Sequence, residues 1–316
     1  MTNGKAKRTR IGIRDALTSG LIDYAGLFPP AGEDMRTAVD NYSDYLRGPD
    51  RGALGRFIVP FARLKEFEDA GADQFPRGQK GARWRISVLV SDDVRHAVEE
   101  IEKFNTRHSA RSRRGAAAID VVELKAGTVE EIANQHRDLP KNLISYFEIP
   151  LTPDLAALIK AIREVSSRAK IRTGGLTPEA IPRSQAIVDF IDACRSESVP
   201  FKATAGLHHA IRGEYNLTYE PGGPIGKMHG FLNVFVAAAL LATGENDDVG
   251  LGALEETNPS AFEFHDDYLV WNGKRITAEQ LASVRSNNAI SFGSCSFREP
   301  IDELAGLLKR KQPTRT

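Results

Sequence analysis

Two periodicities alternate along the chain. Short runs rich in β-branched and aromatic residues are each followed by a turn, and then by a stretch in which apolar residues recur every three or four positions. The runs of the first kind are "LIDYAGLF", "GRFIVP", "RISVLV", "AIDVVEL", "ISYFEIP", "AKIRTGG", "VPFKATAG" and "AISFGSCSF". Amphipathic helices lie between several of them. In "PDLAALIKAIREV" the residues Leu155, Leu158, Ile159, Ile162 and Val165 share one face, and in "RHAVEEIEKF" Ala97, Val98, Ile101 and Phe104 do the same. Strands that alternate with crossover helices predict a parallel sheet. Eight such strands in 316 residues predict a closed (β/α)8 TIM barrel of class α/β rather than an open doubly wound sheet. No glycine-rich dinucleotide or nucleotide-phosphate loop follows the first strand.

Local signals refine this plan. "LTPD" and "LTPE" each follow a strand directly, and each places a threonine, Thr152 or Thr177, as N-cap before a proline at the first helical position. After the seventh strand, "RGEYNLTYEPGGPIGKMHG" is a long loop dense in Gly, Pro and Tyr, at the end of the barrel that carries active sites; it is either a lid or an ordered surface connection. "FEFHDDYLVWNGKRI" reads as a hairpin turning at Asn272-Gly273, inserted between the last helix and the last strand. Residues 1–14 are expected to be a basic flexible tail and residues 15–310 a single barrel domain.

Composition narrows the partners. Lys plus Arg and Asp plus Glu both number 42, so no net field draws the chain to nucleic acid or to an anionic membrane, and a small metabolite is the expected partner. The longest apolar run, Phe231 to Ala242, contains Asn233 and falls well short of the ~20 residues that span a bilayer. The basic N-terminus lacks the apolar segment of a secretory signal. Two cysteines, Cys194 and Cys295, make neither a disulfide framework nor a CxxC pair, which fits a reduced cytoplasm, so a soluble cytoplasmic protein is expected. A homo-oligomer formed through the outer helices is a further expectation.

In a barrel, the C-terminal ends of the strands converge on one cleft. Here they carry Asp23, Glu123, Lys125, Glu148, Arg172, Lys202, His208, Ser294 and Cys295. A charge inside an apolar strand must be paired or open to a wet mouth, because burying it alone is prohibitive. Alternation sets Glu148 opposite Phe147 and Ile149, and Lys202 opposite Phe201 and Ala203, so both point into the barrel, where they either satisfy each other as an ion pair or perform chemistry. Gly174, Gly175, Gly206 and Gly293 leave backbone amides open to an anion, or serve only tight turns. His208 is a candidate acid or base, and His209 a cap for the next helix. Together with His229 these histidines match no standard zinc spacing, and no metal or other cofactor is expected. Cys295 is a candidate nucleophile, but with no Cys-His arrangement adjoining it in sequence it reads rather as a small buried hydrophobe.

Taken in order, these strand ends resemble those of deoxyribose-phosphate aldolase, a class I aldolase barrel. "LIDYAGLFPPA" is similar to the family's aspartate-bearing opening strand, "AIDVVELKAG" to its "EIDMVIN" strand, and "ISYFEIPLT" to its glutamate-bearing strand. "VPFKATAGLHH" resembles the "VKASGGI" lysine strand, and "ISFGSCSF" the "GTSS" phosphate-binding strand end. The similarity spans most of the chain in short matches. It implies a carbon–carbon lyase acting on a small anionic carbonyl metabolite, phosphorylated or carboxylated. The chain departs from the family where its Schiff-base lysine stands, in "KTSTG": the matching run "IRTGG" has Arg172, which cannot form an imine. The family's second lysine corresponds to Lys202.

Two roles for Lys202 follow. Either it is the imine-forming amine, its pKa depressed by Arg172, or Lys202 and Arg172 clamp a carboxylate or phosphate while Glu148 or Asp23 moves the proton. The catalytic set is then Lys202, Glu148, Asp23, His208 and Lys125, with Arg172, Gly174, Gly175, Gly206, Gly293 and Ser294 as substrate contacts. An active Lys202 should lie close to Arg172 and Glu148 with a lowered pKa, whereas one locked to Glu148 should have a raised pKa. The competing readings are a metabolite-binding barrel that has lost the aldolase lysine, and a metal-assisted lyase built on the histidines.

Overall fold

The computed structural model describes residues 11–78, 83–91, 93–110 and 112–309. Its strands are β1 (Ile22–Tyr24), β2 (Leu54–Pro60), β3 (Trp84–Leu89), β4 (Ala117–Lys125), β5 (Ile144–Glu148), β6 (Arg168–Arg172), β7 (Phe201–Thr204), β8 (Gly213–Asn216), β9 (Ile225–Met228), β10 (Phe262–Phe264), β11 (Tyr268–Trp271), β12 (Lys274–Thr277) and β13 (Ala289–Ser294). The helices are α1 (Ile13–Thr18), α2 (Met35–Arg47), α3 (Leu64–Gly71), α4 (Val94–Arg107), α5 (Val129–His136), α6 (Leu155–Glu164), α7 (Ser184–Ser196), α8 (Phe231–Ala242), α9 (Asp247–Glu255), α10 (Ala278–Asn287) and α11 (Arg298–Lys309). Eight parallel strands close in the order β1-β13-β7-β6-β5-β4-β3-β2. They are the eight runs marked in the sequence, and the fold is a TIM barrel.

Strand alternation explains how the barrel divides its side chains. On β6, Ala169 and Ile171 are fully buried toward the helix layer, and Lys170 between them takes the opposite face. On β7, Phe201 and Ala203 do the same around Lys202. The helices return apolar faces to this layer; α6 buries Leu158, Ile159, Ala161 and Ile162, each larger aliphatic side chain contributing about 1.5–3 kcal/mol of transfer free energy. Apart from Asn233, α8 is apolar around its whole circumference because it is enclosed, with Phe231 and Phe235 packing on Phe292 of β13 at ring-centroid distances of 5.3 and 6.1 Å. No helix among the described residues is long and apolar enough to cross a membrane.

Three local expectations change. Of the two Thr-Pro starts, Thr177 does stand at the N-cap position with Pro178 after it, but of a single 3-10 turn six residues before α7 and without a side-chain hydrogen bond, whereas α6 has Asp154 and not Thr152 as its N-cap. The segment between β6 and that turn lends Gly174, Gly175 and Leu176 to the cleft wall, and the turn itself lends Ala180. The late hairpin is a three-stranded antiparallel meander, β10-β11-β12, and α10 stands between it and β13, so it does not adjoin the last strand. Its second turn does use Asn272 and Gly273, both at positive φ, +46° and +75°. The meander docks on α1, where Ile13 N donates to Asp266 O at 2.9 Å, at the N-terminal end of the barrel and away from the cleft. α1 itself begins at Ile13, inside the expected tail, whose residues 1–10 lie outside the described residues, as does residue 310.

Candidate active site

The C-terminal ends of the barrel strands open into a cleft of about 920 Å³. Below and along one wall, six side chains of alternating charge run in sequence across the barrel. Lys202 Nζ lies 2.6 Å from Asp23 Oδ2 and 2.7 Å from Glu123 Oε1. Lys170 Nζ lies 2.8 Å from Glu123 Oε2 and 2.8 Å from Glu148 Oε2, and Arg172 Nε stands 3.7 Å from Glu148 Oε1. Because β4 and β7 are not neighbours in the barrel, the Lys202–Glu123 contact crosses its interior.

The deep end of this chain is closed. Asp23 also accepts from Ser291 Oγ at 3.0 Å and from the backbone amide of Arg56 at 2.8 Å, and Ser87 Oγ donates to Glu123 at 2.6 Å. Gly55 makes the Asp23 contact possible, since a Cβ there would stand 2.3 Å from Asp23 Oδ1. Lys202 also sits over the Tyr146 ring, 5.5 Å from its centroid. Burial alone would push the Lys202 pKa down, but Asp23 and Glu123 outweigh it and hold the ammonium above the ordinary lysine range. Glu123 is held well below the usual carboxylate range, because Lys170 and Lys202 overcome the burial that would raise it. Lys202 is therefore a charged, two-partner ion pair. Its partners are Asp23 and Glu123, whereas Glu148 pairs with Lys170, so the expected Lys202–Glu148 pair is not formed, nor is the downward shift.

Lys170 is the residue that motif matching passed over. Strand register sets it beside Lys202 on β7 and Glu148 on β5, and it lines the cleft, as Lys202 and Asp23 do not. It stands two residues before Arg172 and so on the same inward face of β6, the position that alternation assigns to any i, i+2 pair. Its contact with Glu123 Oε2 is ionic and off the hydrogen-bond direction; that buried oxygen has no directed donor. Glu148 is lowered by Lys170 first, then by Arg172 and Lys125, against the burial that would raise it.

The remaining expected residues divide in two. Lys125, Arg172, Gly174, Gly175, Gly206, Gly293 and His208 all line the cleft. Ser294 does not; it is buried on the outward-facing side of β13, with Ser296 N donating to its hydroxyl at 3.3 Å. Gly174 and Gly206 meet where β6 and β7 end: a Cβ on either would lie 2.9 Å from the Cα of the other, and Gly206 has φ +77°. These glycines serve a close backbone approach at the cleft edge. The Gly-, Pro- and Tyr-rich loop is the β8–β9 hairpin, and its residues from Tyr215 to Pro221 form a wall of the cleft.

The three histidines do not converge. His229 donates through Nε2 to Pro182 O and receives Arg212 at Nδ1, and burial pushes its pKa down to about 4. His209 pairs with Glu303 at 2.6 Å and stacks on Tyr215, and it is its backbone carbonyl, not its side chain, that caps α8 by accepting from Phe231 N. His208 lies 3.1 Å from Glu299 and 3.8 Å from Cys295 Sγ, so a Cys-His arrangement does exist, brought together from positions far apart in sequence. Among the described residues no group of three or more His, Cys, Asp or Glu side chains is placed to hold a metal ion.

Fold and cleft together define a TIM barrel with a charged site, open to solvent, at the C-terminal end of its strands. No protein-family model matches the chain, and no curated protein matches it either.

Proposed function

We propose that the cleft performs class I aldol chemistry on a small anionic carbonyl metabolite, with Lys170 as the imine-forming amine. The observation that carries this reading is the pair Lys170 and Lys202, in register on adjacent strands, sharing Glu123, with only Lys170 reaching the cleft. Lys202 is held charged by two carboxylates and is a poor nucleophile in that state. Its role is to place a fixed positive charge beside Lys170 and to hold Glu123 ionised.

In the proposed sequence, neutral Lys170 attacks the substrate carbonyl, having given its proton to Glu148. The carbinolamine loses water with that proton returned, and the resulting iminium accepts the electron pair of the carbon–carbon bond that breaks as the β-hydroxyl gives its proton to Glu148 and the aldehyde leaves; the enamine so formed takes that proton at carbon to become the imine. Hydrolysis of the imine then returns the amine. Arg172 and Lys125, at the open end of the charge chain, supply cations for the substrate's phosphate or carboxylate. The resemblance of the strand ends to deoxyribose-phosphate aldolase supports the same assignment once Lys170, two residues before Arg172, is taken as the sixth-strand lysine.

Borohydride reduction in the presence of a panel of aldehydes and keto acids, followed by peptide mapping, tests this. A reduced adduct on Lys170 that disappears in Lys170→Met is the expected result. An adduct on Lys202, or none on any lysine with every carbonyl compound tried, would sink the assignment. The second reading, an anion-binding barrel without catalysis, is favoured by Lys170 being paired to two carboxylates at once. It predicts ligand binding with no trapping.

A further inference from the structure

The mouth of the cleft carries a second cluster that the amine chemistry leaves unused. Cys295, the residue after β13, has its sulfur 3.8 Å from both ring nitrogens of His208, which follows β7. His208 Nδ1 is 3.1 Å from Glu299 Oε2 on α11, and the Tyr219 hydroxyl of the β8–β9 hairpin lies 3.8 Å from the same sulfur. All four residues line the cleft, and the thiol and imidazole are buried in its wall. Burial opposes a charged imidazole here, yet the contacts with Cys295 and Glu299 raise His208 to about 9. A cation against a thiol, itself oriented by a carboxylate, is the arrangement that makes a cysteine nucleophilic. Cys194 supplies the contrast within the same chain: it is buried on α7, and burial alone raises its thiol.

We propose that Cys295 is a reactive thiol, paired with His208 and positioned by Glu299, that takes up a small soft electrophile entering the cleft, an activated alkene being the chemical class. The sulfur's electron pair forms the C–S bond at the β-carbon, and the alkene's π pair moves onto the activating carbonyl as an enolate. The proton that left the thiol, held on His208, passes to the α-carbon. Thiol and alkene combine to a thioether and nothing else is consumed. This site is independent of the proposed imine on Lys170.

N-ethylmaleimide labelling of the native full chain at neutral pH, with the sites mapped by mass spectrometry, tests it. Cys295 should label at least about tenfold faster than a free cysteine in an unstructured peptide, while Cys194 stays unlabelled until denaturant is added. His208→Gln and Glu299→Gln should each slow Cys295 toward the peptide rate. Lys170→Met should label at the wild-type rate, which keeps this result separate from the fate of the imine. A native Cys295 that stays unlabelled overturns the proposal, as does one that labels at the peptide rate or is indifferent to His208→Gln in a variant shown to be folded by circular dichroism. Should His208→Gln not fold, Glu299→Gln supplies the same comparison.

Discussion

Lys170 and Lys202 stand side by side on neighbouring strands, carry the same charge and divide one carboxylate between them, yet they occupy different surroundings. Lys202 is sealed below the cleft by two directed hydrogen bonds, from Nζ to Asp23 and Glu123, and by the face of Tyr146. Lys170 meets the cleft directly and holds Glu123 by charge without a directed hydrogen bond. The same side chain is thus enclosed by directed hydrogen bonds in one place and opens onto the cleft one strand away. What separates them is the partner geometry, because both are buried to nearly the same extent, 1% and 3%.

The sharpest way to break this contrast is to remove each amine. Lys202→Met orphans Asp23 and leaves Glu123 with one cation, and should cost about 3–5 kcal/mol in urea denaturation. Lys170→Met should cost less, about 1–3 kcal/mol, because Glu123 keeps Lys202 and Ser87 while Glu148 keeps Arg172. Equal losses would show that the two sites are energetically alike and remove the contrast.

A pH series separates the charge chain from the mouth cluster. Glu123 and Glu148 have depressed folded values, so their contribution is present above the unfolded value of about 4.3 and is lost as pH falls through the folded ones. His208 has the opposite sign: raised to about 9, it stabilises fully below its unfolded value near 6.5 and the contribution fades as pH rises through 9. At about 1.4 kcal/mol per pKa unit this is worth at most about 3.5 kcal/mol. Denaturation midpoints should therefore decline between about pH 6.5 and 9, and His208→Gln should flatten that decline. An unchanged slope in the variant would assign it to another group.

The smallest effect on stability is expected at the open end. Arg172 is half exposed and 3.7 Å from Glu148, so Arg172→Gln should leave the denaturation midpoint within about 0.5 kcal/mol of wild type. It should nevertheless weaken binding of inorganic phosphate, read by isothermal titration calorimetry, about tenfold, the scale of one charged contact. Phosphate binding that does not change would take Arg172 out of the anion site.

Much of the fold could be read from alternation alone, because each barrel strand buries one apolar face against helices and so repeats with period two. The same period, applied to "AKIRTGG", sets Lys170 and Arg172 on one inward face. Matching the run to a family motif by its glycines drew attention to Arg172 and hid the lysine two positions earlier. Where three-dimensional convergence decides, sequence had less to offer. His208 and Cys295 are 87 residues apart, and nothing local in "GLHHA" or "GSCSF" announces their contact. The Thr-Pro pairs misled for a physical reason: a residue pair suited to a helix start also suits a turn that stops short of the helix.

The alternating row from Asp23 to Arg172 has three carboxylates and three cations, and so no net charge. An iminium on Lys170 would carry the same single positive charge as the ammonium it replaces, in nearly the same place. Glu123 and Glu148 would then meet the iminium already oriented for it, and the barrel would face no new charge on going from ammonium to iminium. In the language of solvent reorganisation, the barrel interior is a medium whose relaxation was completed during folding.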